Sequence, residues 1–571
     1  MSINPGRSIM SLHPKALPNF VVTALGGIYL LAMHVILPNN GGSGADLPES
    51  LLVWSLMLMM TAIGFLFFLR KPIYLSSTLK CIILAASLMT FPLAWSSHRD
   101  WIFDSLAQFG GLWAGVLLYA MLINCRFGDV QIKWLLYIIA LAAVVQALYG
   151  LAGLSYPALL PDFEQRVLQV VPTNVGVFQQ RNVTASFLAV GGGSLLFILG
   201  SSFFICRSRQ RELMRKAIVF SGIVIIYYAL TNLQSRIGWL SGCCVFMGML
   251  LLYGRKETQL ATRFLLLLAP VTGVTWCVLV MNGTLLEALH QHDGSNLQRL
   301  MILHETWRMI LLHPLKGWGY GSYIWSFSHF IADRAQPIDN GASVVSYPHN
   351  EFLYWWMEGG MVALSGLFVV CFAGMRLLFR STEKNKLAFF ICLLPLLLHT
   401  QVEYPFYQSA VHWLSFILLL SLIDRRDDDK DAAAGGAMSL NISTIYLSAF
   451  LLFMAMIVII SLRNELILTR FESQPDDFYH EVLSLPETGV GTERLRRLNA
   501  EALIIDYKHN NDVRALRQFS AAASRWLKTW GDADMYDNLI EVNYFLGNKQ
   551  TGDSLKREAS RLFMQDDRFK H

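Results

Sequence analysis

Apolar stretches of near-spanning length recur along the whole chain, and they limit the possible folds more than any other feature of the sequence. A helix needs about 20 apolar residues to cross the hydrocarbon core of a bilayer, where backbone polar groups must be paired within helices or closed barrels. The sequence therefore predicts an all-α polytopic membrane protein with about 13 transmembrane helices. The expected spans lie near residues 18–37, 51–69, 79–95, 106–124, 134–153, 183–205, 217–233, 237–253, 264–281, 353–378, 387–400, 409–423 and 442–462.

The composition agrees with this class. The chain of 571 residues is 54% hydrophobic and only 15% charged, whereas soluble globular proteins carry about 25% charged residues. The first apolar run lacks the small-residue cleavage site of a signal peptide, so we expect it to remain as the first helix.

The cysteines fall in apolar runs or in loops on the side expected to be cytoplasmic, so no disulfide framework is expected. Neither a CxxC nor an HExxH spacing occurs, and we therefore expect no metal site and no cofactor. The net charge of +5 is small, and we expect membrane lipids but no nucleic acid as partners.

Lysine and arginine are unevenly divided between the two alternating sets of loops. The set that contains "RK" at 70–71, "CRSRQRELMRK" and "DRRDDDKD" holds more than twice as many Lys and Arg residues as the other set. Because positively charged loops stay in the cytoplasm, this bias places the N-terminus in the cytoplasm. After thirteen crossings the C-terminus lies outside.

The outer side then carries a long loop, residues 282–352, and a soluble C-terminal region, residues 463–571, which follows a transmembrane domain at 1–462. Stretches such as "LRRLNAEALIIDY" and "VRALRQFSAAASRWLKTW" have helical periodicity. A glycine between two of these helices and small alanine positions resemble the helical hairpins of tetratricopeptide repeats.

A histidine stands at the edge of the tenth span, in "SYPHNEFLYWWMEGG". Pro348 resists helical continuation, so we expect the helix to begin between His349 and Glu351. The positive end of a helix dipole disfavours an imidazolium, and a neutral histidine can accept a proton as a general base. The simpler interpretation is that His349 and Asn350 only cap the helix.

Three arginines lie where outer loops meet apolar segments: Arg181 in "QQRN", Arg236 in "LQSRIGW" and Arg299 in "NLQRLMILHETW". Charge at the membrane interface usually has a partner, and guanidinium is well suited to phosphate. Together with one base they indicate a lipid-linked phosphate or pyrophosphate handled outside the membrane. Each arginine alone is also explained by snorkelling to lipid headgroups.

Polar and aromatic residues of the same side are candidate substrate contacts. Gln179, Gln180 and Asn182 surround Arg181, and they either bind sugar hydroxyls or an acceptor chain or simply cap the helix. The run "HPLKGWGYGSY" at 313–323 is expected to pack near headgroups or to stack on sugar. The substrate-binding candidates are Gln180, Asn182, Tyr347, Asn350, Glu351, Glu403 and Tyr404.

Taken together, "RLMILHETWRMILLHPLKGWGYGSY" followed by "YPHNEFLYWWMEGG" resembles the O-antigen ligase/polymerase superfamily. "FQQRNVTASF" and "SRIGWLSG" are similar to its two arginine-bearing span starts. The early "ILPNNGGSGADLP" and the late "VEYPFYQSAVHWLS" resemble one branch, the PglL-like bacterial protein O-oligosaccharyltransferases.

The resemblance implies a GT-C-like, metal-independent enzyme of the bacterial inner membrane. It would transfer a glycan en bloc from undecaprenyl pyrophosphate to a Ser or Thr hydroxyl of a periplasmic protein, such as a pilin, with inversion. By motif, His349 would be the catalytic base, and Arg181, Arg236 and Arg299 would hold the donor pyrophosphate. Either Gln179 or Gln180 matches the family position, and Gln180 is chosen because it directly precedes Arg-Asn.

Other functions remain open at this point. Within the superfamily, an O-antigen ligase acting on lipid A-core or an O-antigen polymerase would differ only in the acceptor, and the long outer tail favours a protein acceptor. A membrane transporter would need charged residues deep in several spans and internal repeats, which are not evident. A sensor that only displays the tail would leave the outer arginines unexplained.

Overall fold

The structure is a computed structural model that describes residues 16–69, 72–96, 98–170, 173, 175–255, 259–281, 293–334, 344–425, 436–439 and 441–570. Two short antiparallel strands, β1 (Pro72–Leu75) and β2 (Gly436–Ser439), pair with each other. The 22 α-helices of these residues are α1 (Ala16–Leu30), α2 (Pro48–Leu66), α3 (Ser77–Thr90), α4 (Arg99–Ile123), α5 (Asp129–Ser155), α6 (Asp162–Val170), α7 (Arg181–Gly200), α8 (Arg209–Asn232), α9 (Arg236–Tyr253), α10 (Leu260–Met281), α11 (Asp293–Leu312), α12 (Tyr323–Ala332), α13 (Glu351–Arg380), α14 (Lys384–His399), α15 (Pro405–Gln408), α16 (Ala410–Ile423), α17 (Asn441–Ser473), α18 (Pro475–Leu483), α19 (Thr492–Asn510), α20 (Val513–Trp526), α21 (Ala533–Phe545) and α22 (Lys549–Leu562).

The all-α polytopic architecture predicted from the apolar runs is confirmed. Eleven helices of the described chain are long and apolar enough to cross a membrane. The other two predicted spans correspond to α14 and α16, which have only 16 and 14 residues. At 1.5 Å per residue these helices reach roughly 21–24 Å, short of the ~30 Å hydrocarbon core. Because α14 and α16 are consecutive, losing both as crossings would leave every other segment on the side of the membrane that was predicted for it.

Helix α7 lies at the centre of the membrane part, and its whole apolar length is buried. It packs against α5, α8, α9 and α14. A methyl group at Gly191 would overlap Ala143 of α5, and one at Gly193 would lie 3.0 Å from Val245 of α9. Small residues thus let the neighbouring backbones approach closely, which fixes the position of Arg181 at the N-terminal end of α7.

Helix α13 is broken at Gly360, whose φ of 68° and ψ of −164° leave the helical region. The 313–322 loop fits against this break: the backbone N–H of Trp318 donates to the Met357 carbonyl (2.8 Å), and that of Gly319 to the Glu358 carbonyl (2.9 Å). Tyr320 is fully buried. Part of this aromatic run therefore packs against the protein itself, and the expectation that it meets headgroups or sugar stays a prediction.

The C-terminal helices form consecutive antiparallel pairs, with α19 against α20 and α21 against α22. Two clusters of buried side chains, one around Phe519 and Tyr536 and the other around Phe471 and Leu498, hold them together. Helix α17 continues to Ser473 and passes residue 463, the predicted start of the soluble region, without interruption.

The tail packs on one end of the membrane part. The indole N–H of Trp101 at the start of α4 donates to the Lys528 carbonyl (2.8 Å). His329 of α12, within the long outer loop, lies 3.1 Å from Glu558 of α22. The tail and α12 therefore lie at the same end of the helix bundle.

Candidate active site

Three helices begin at this end with the same three-residue turn. In each turn the first residue has a positive φ between 53° and 56°, the second caps the helix with its side chain, and the third is the first helical residue. The turns are Gln179-Gln180-Arg181 at α7, Gln234-Ser235-Arg236 at α9 and His349-Asn350-Glu351 at α13. A positive φ costs a residue other than glycine about 1–3 kcal/mol, and such strain is often stored at functional sites.

Glu403 joins these turns. It lies in the segment between α14 and α16, and its side chain is only 6% exposed. The carboxylate accepts hydrogen bonds from Gln180 Nε2 (2.8 Å) and Asn182 Nδ2 (2.7 Å). It also accepts one from Arg299 of α11 at 3.0 Å and contacts His399 Nε2 at 3.2 Å.

Further hydrogen bonds tie the α9 and α13 turns to the same centre. The Ser235 hydroxyl donates to Asn182 Oδ1 (2.6 Å). The backbone N–H of Glu351 donates to the Thr400 carbonyl (3.2 Å). Residues that are far apart in the sequence therefore meet around one carboxylate.

Burial and three neighbouring residues determine the ionisation of Glu403. Burial alone acts to raise its pKa, but the hydrogen bond and charge of His399, the charge of Arg299 and the amide of Asn182 outweigh it and hold the pKa at about 2. Glu403 is therefore a fixed negative charge at neutral pH, and with its lone pairs already engaged it is a poor base.

His349 is placed differently. The helix cap is Asn350, whose Oδ1 accepts from the Leu353 backbone N–H at 3.1 Å, so the imidazole is not used for capping. Its Nδ1 is buried and has no hydrogen-bond partner among the described residues. Burial and the nearby Arg299 charge lower the pKa of His349, while Glu403 partly opposes them. The ring is consequently neutral at pH 7, so one of its two nitrogens can accept a proton.

Tyrosines and Glu351 form the wall beside this imidazole. The ring of Tyr404 lies 4.0 Å from that of Tyr347 and 6.1 Å from that of His349, between ring centroids. Glu351 accepts hydrogen bonds from the Tyr407 hydroxyl (2.8 Å) and the Trp355 indole (2.9 Å). Through these two hydrogen bonds Glu351 helps to hold the start of α13 in place.

The predicted arginines occupy three distinct settings. Arg299 pairs with Glu403 and is 34% exposed. Arg236 is exposed and donates to Asn296 Oδ1 at 2.9 Å. Arg181 makes no hydrogen bond or ion pair with any residue that the structure describes, although both of its neighbours, Gln180 and Asn182, bond to Glu403. Arg181 and Arg236 each stand at a helix N-terminus, where backbone N–H groups favour anions.

Sequence reasoning missed a buried polar chain that continues inward from Glu403. His399 Nδ1 lies 2.9 Å from the Ser186 hydroxyl, and Ser186 lies 3.0 Å from His412 Nε2. All three residues are fully buried. Since a carboxylate only accepts hydrogen bonds, Nε2 of His399 donates to Glu403. The i,i+4 spacing of His399 and Glu403 was the one signal in the sequence for this contact.

The arrangement combines a free, neutral imidazole with helix N-termini and arginines that are suited to phosphate groups. Among the described residues, no group of three or more His, Cys, Asp or Glu side chains is placed to hold a metal ion. The chemistry available from these side chains is proton transfer at His349 and electrostatic stabilisation of a phosphate leaving group.

Comparison with known families gives two matches. The O-antigen ligase family matches residues 221–368, which include Arg236, Arg299 and His349. A family described as virulence factor membrane-bound polymerase, C-terminal, matches residues 387–571, which include Glu403 and the tail. No curated protein matches the chain. The two matched ranges cover more than half of the sequence, and the chain belongs to the O-antigen ligase/polymerase superfamily of membrane glycosyltransferases.

Proposed function

We propose that this chain transfers a glycan en bloc from undecaprenyl pyrophosphate to Ser or Thr hydroxyls of periplasmic proteins such as pilins, with His349 as the general base. The observation that carries the proposal is the imidazole of His349, whose buried Nδ1 has no partner among the described residues. A Ser hydroxyl is a weak nucleophile and needs a base within hydrogen-bond reach.

The competing base near His349 is Glu403, and its hydrogen bonds argue against that role. Its carboxylate accepts from Gln180, Asn182 and Arg299, and its low pKa makes it a weak proton acceptor. In this proposal Glu403 instead holds the α7 turn, α11 and α14 in register around the reacting groups.

The pyrophosphate would lie between the arginine-bearing turns. Arg181 and Arg236 open α7 and α9, so each supplies a guanidinium next to a helix N-terminus that itself favours anions. The first of these arginines has no partner among the described residues, which leaves its charge available for a ligand.

The bonds change as follows. The acceptor oxygen gives its proton to Nδ1 of His349 and forms a bond to the anomeric carbon. The bond between that carbon and the phosphate oxygen breaks, and undecaprenyl pyrophosphate leaves with the electron pair. Attack from the face opposite the leaving group inverts the anomeric configuration. The leaving group is already stable as an anion, so arginines can supply most of the remaining stabilisation.

A saccharide hydroxyl is the alternative acceptor, because ligases and polymerases of the superfamily share the donor chemistry. The second matching family, described as a virulence factor membrane-bound polymerase, favours this second candidate. The tail of five helices beside the outer loop favours a protein acceptor, because it offers a large surface next to α12.

The acceptor is tested by expressing the chain with a lipid-linked glycan pathway and candidate pilins, and by measuring the intact mass of the pilin. We expect a mass increase equal to whole glycan units on Ser or Thr peptides. An unmodified pilin together with longer polysaccharide chains, or with glycan on lipid A-core, would contradict the protein acceptor and support the second candidate.

The phosphate role of Arg236 gives a further prediction. A charge-assisted hydrogen bond is worth about 1.5–3 kcal/mol, so we expect Arg236→Lys, which keeps the charge but loses the planar fork, to lower transfer about tenfold, and Arg236→Ala to lower it more. Initial rates at equal protein level would be measured, with Arg308→Ala, an outer arginine paired with Glu305, as the matched control. Wild-type rates in the alanine variant would remove Arg236 from the site.

The proposed function requires the site and the tail to face the periplasm. Reporter fusions after Leu285 and at the C-terminus are expected to give a periplasmic signal, and a fusion after Arg209 a cytoplasmic one, because of the uneven Lys and Arg content of the loops. Alkaline phosphatase and green fluorescent protein fusions report the two sides. A cytoplasmic signal at the C-terminus would contradict the orientation.

A further inference from the structure

A cavity of about 700 Å³ opens beside the α7 turn, on the side of Gln179. Its walls come from three segments: residues Asn40–Gly42 of the loop between α1 and α2, helix α6, and the end of α17 at Glu472 and Ser473. The first of these belongs to "ILPNNGGSGADLP", a sequence that the catalytic centre does not use. Ligand pockets commonly measure roughly 300–1,000 Å³.

The polar rim of the cavity is held in place before any ligand arrives. Fully buried Asn39 accepts hydrogen bonds from the Gly41 backbone (3.0 Å) and from Gln179 Nε2 (2.9 Å). Asn40 Nδ2 donates to Glu472 Oε2 at 2.7 Å. Side chains with fixed positions bind a ligand at a lower entropic cost than mobile ones do.

The C-terminal tail supports this rim. Arg494 of α19 lies 2.7 Å from one Glu472 oxygen, and Arg497 lies 3.2 Å from the other. Arg494 also pairs with Glu465. The tail therefore contributes to the geometry of the cavity through Glu472, although it does not itself line it.

The lining matches a saccharide in its chemistry. Oε1 of Gln179 is buried and has no hydrogen-bond partner among the described residues. The Asn40 amide and the Arg166 guanidinium add further planar polar groups. Phe163, Val167 and Val170 of α6 add apolar side chains to the same lining. Sugar rings present hydroxyls at their edges and apolar C–H groups on their faces. A lining with both polar and apolar side chains offers contacts to each.

An extended polypeptide fits the lining less well. Peptide main chains usually bind by pairing with an exposed strand edge or a row of free backbone groups. The lining backbone consists largely of α6 and the end of α17, whose backbone groups are mostly bonded within the helices.

We propose that this cavity binds the glycan chain of the lipid-linked donor, away from its reacting sugar, and thereby selects which glycans are transferred. The inference rests on the proposed function. The two glutamines of the α7 turn have different partners: Gln180 bonds to Glu403, and Gln179 bonds to Asn39 and lines the cavity. A donor with a single sugar does not extend into the cavity, whereas an oligosaccharide donor does.

The experiment uses the full-length purified chain with two donors, undecaprenyl pyrophosphate carrying one sugar and the same lipid carrying an oligosaccharide. Phe163→Ala and Arg166→Ala each remove one side chain from the lining, the first apolar and the second charged. Gln169→Ala, an exposed change on α6 that does not line the cavity, is the matched control. We expect kcat/KM for the oligosaccharide donor to fall about tenfold in the double variant, as for removal of important binding contacts, with KM for the acceptor unchanged.

With the single-sugar donor, the double variant is expected to match wild type within about twofold, since well-placed surface changes cost little. An equal loss with both donors, or no loss with the oligosaccharide donor, overturns the saccharide assignment. A rise confined to KM of the acceptor shows that the cavity binds the acceptor and also overturns it. If wild type uses neither donor, the proposed transfer itself fails, and this result is distinct from the others.

Discussion

Replacing His349 with glutamine is expected to lower transfer about 10²–10⁴-fold, the usual contribution of general-base catalysis, while the protein stays folded in the membrane. Glutamine keeps a hydrogen-bonding side chain but cannot accept a proton at neutral pH. The helix cap is unaffected, because Asn350 supplies it. Turnover by purified variants with lipid-linked donor and a Ser-containing peptide is the measurement.

A matched control and a pH series separate chemistry from structure. His329→Gln changes another outer histidine, which pairs with Glu558 of the tail, and should retain turnover per molecule. The neutral imidazole is the active form, so the rate should fall on acidification, and its midpoint should lie below the ordinary value of 6.5 because burial and Arg299 lower the pKa of His349. Wild-type turnover by His349→Gln would exclude the base.

Replacing Glu403 with alanine is expected to lower both stability and transfer. The change leaves Gln180, Asn182, Arg299 and His399 without their common acceptor. Breaking a buried ion pair costs about 3–5 kcal/mol, and we expect the lower end because the Arg299 side chain is 34% exposed. Transfer per folded molecule should fall about hundredfold, since a misplacement of about 1 Å in the reacting groups costs that much.

Glu305→Ala tests whether the loss of transfer in Glu403→Ala is specific to the candidate active site. Glu305 is an equally buried carboxylate of α11, paired with Arg308 and Arg334, so its loss should lower thermal stability to a similar degree. Turnover per folded molecule should be preserved in that variant. If Glu403→Ala loses only stability, as Glu305→Ala does, Glu403 has no part in positioning the catalytic groups.

Much of the membrane architecture could be predicted from the sequence because it depends on local properties. Spanning length and apolar content determine a transmembrane helix wherever it occurs in the chain, and all eleven long spans were predicted. The helix start after Pro348 was also predicted, since proline restricts the residues around it. The other two predicted spans correspond to α14 and α16, which are too short to cross the hydrocarbon core as straight helices.

The different roles of neighbouring polar residues could not be predicted from such local properties. Gln179 and Gln180 are indistinguishable by composition and spacing, yet one bonds to Asn39 and the other to Glu403. The positive φ of Gln179 turns the two side chains apart. Likewise, whether His349 caps α13 could not be told from the sequence, and the structure places Asn350 alone at the cap.

By itself the sequence determined that this chain is a helical membrane protein, that scarce arginines and one histidine stand at the edges of its spans, and that it resembles a glycosyltransferase superfamily. Only the tertiary structure decided that Glu403 is the common partner, that His399 and Ser186 stand behind it, and that the first outer loop shares a cavity with α6. The physical reason is distance along the chain. Gln180 and Glu403 are separated by 223 residues, and such contacts depend on how whole helices pack, which neither periodicity nor capping encodes.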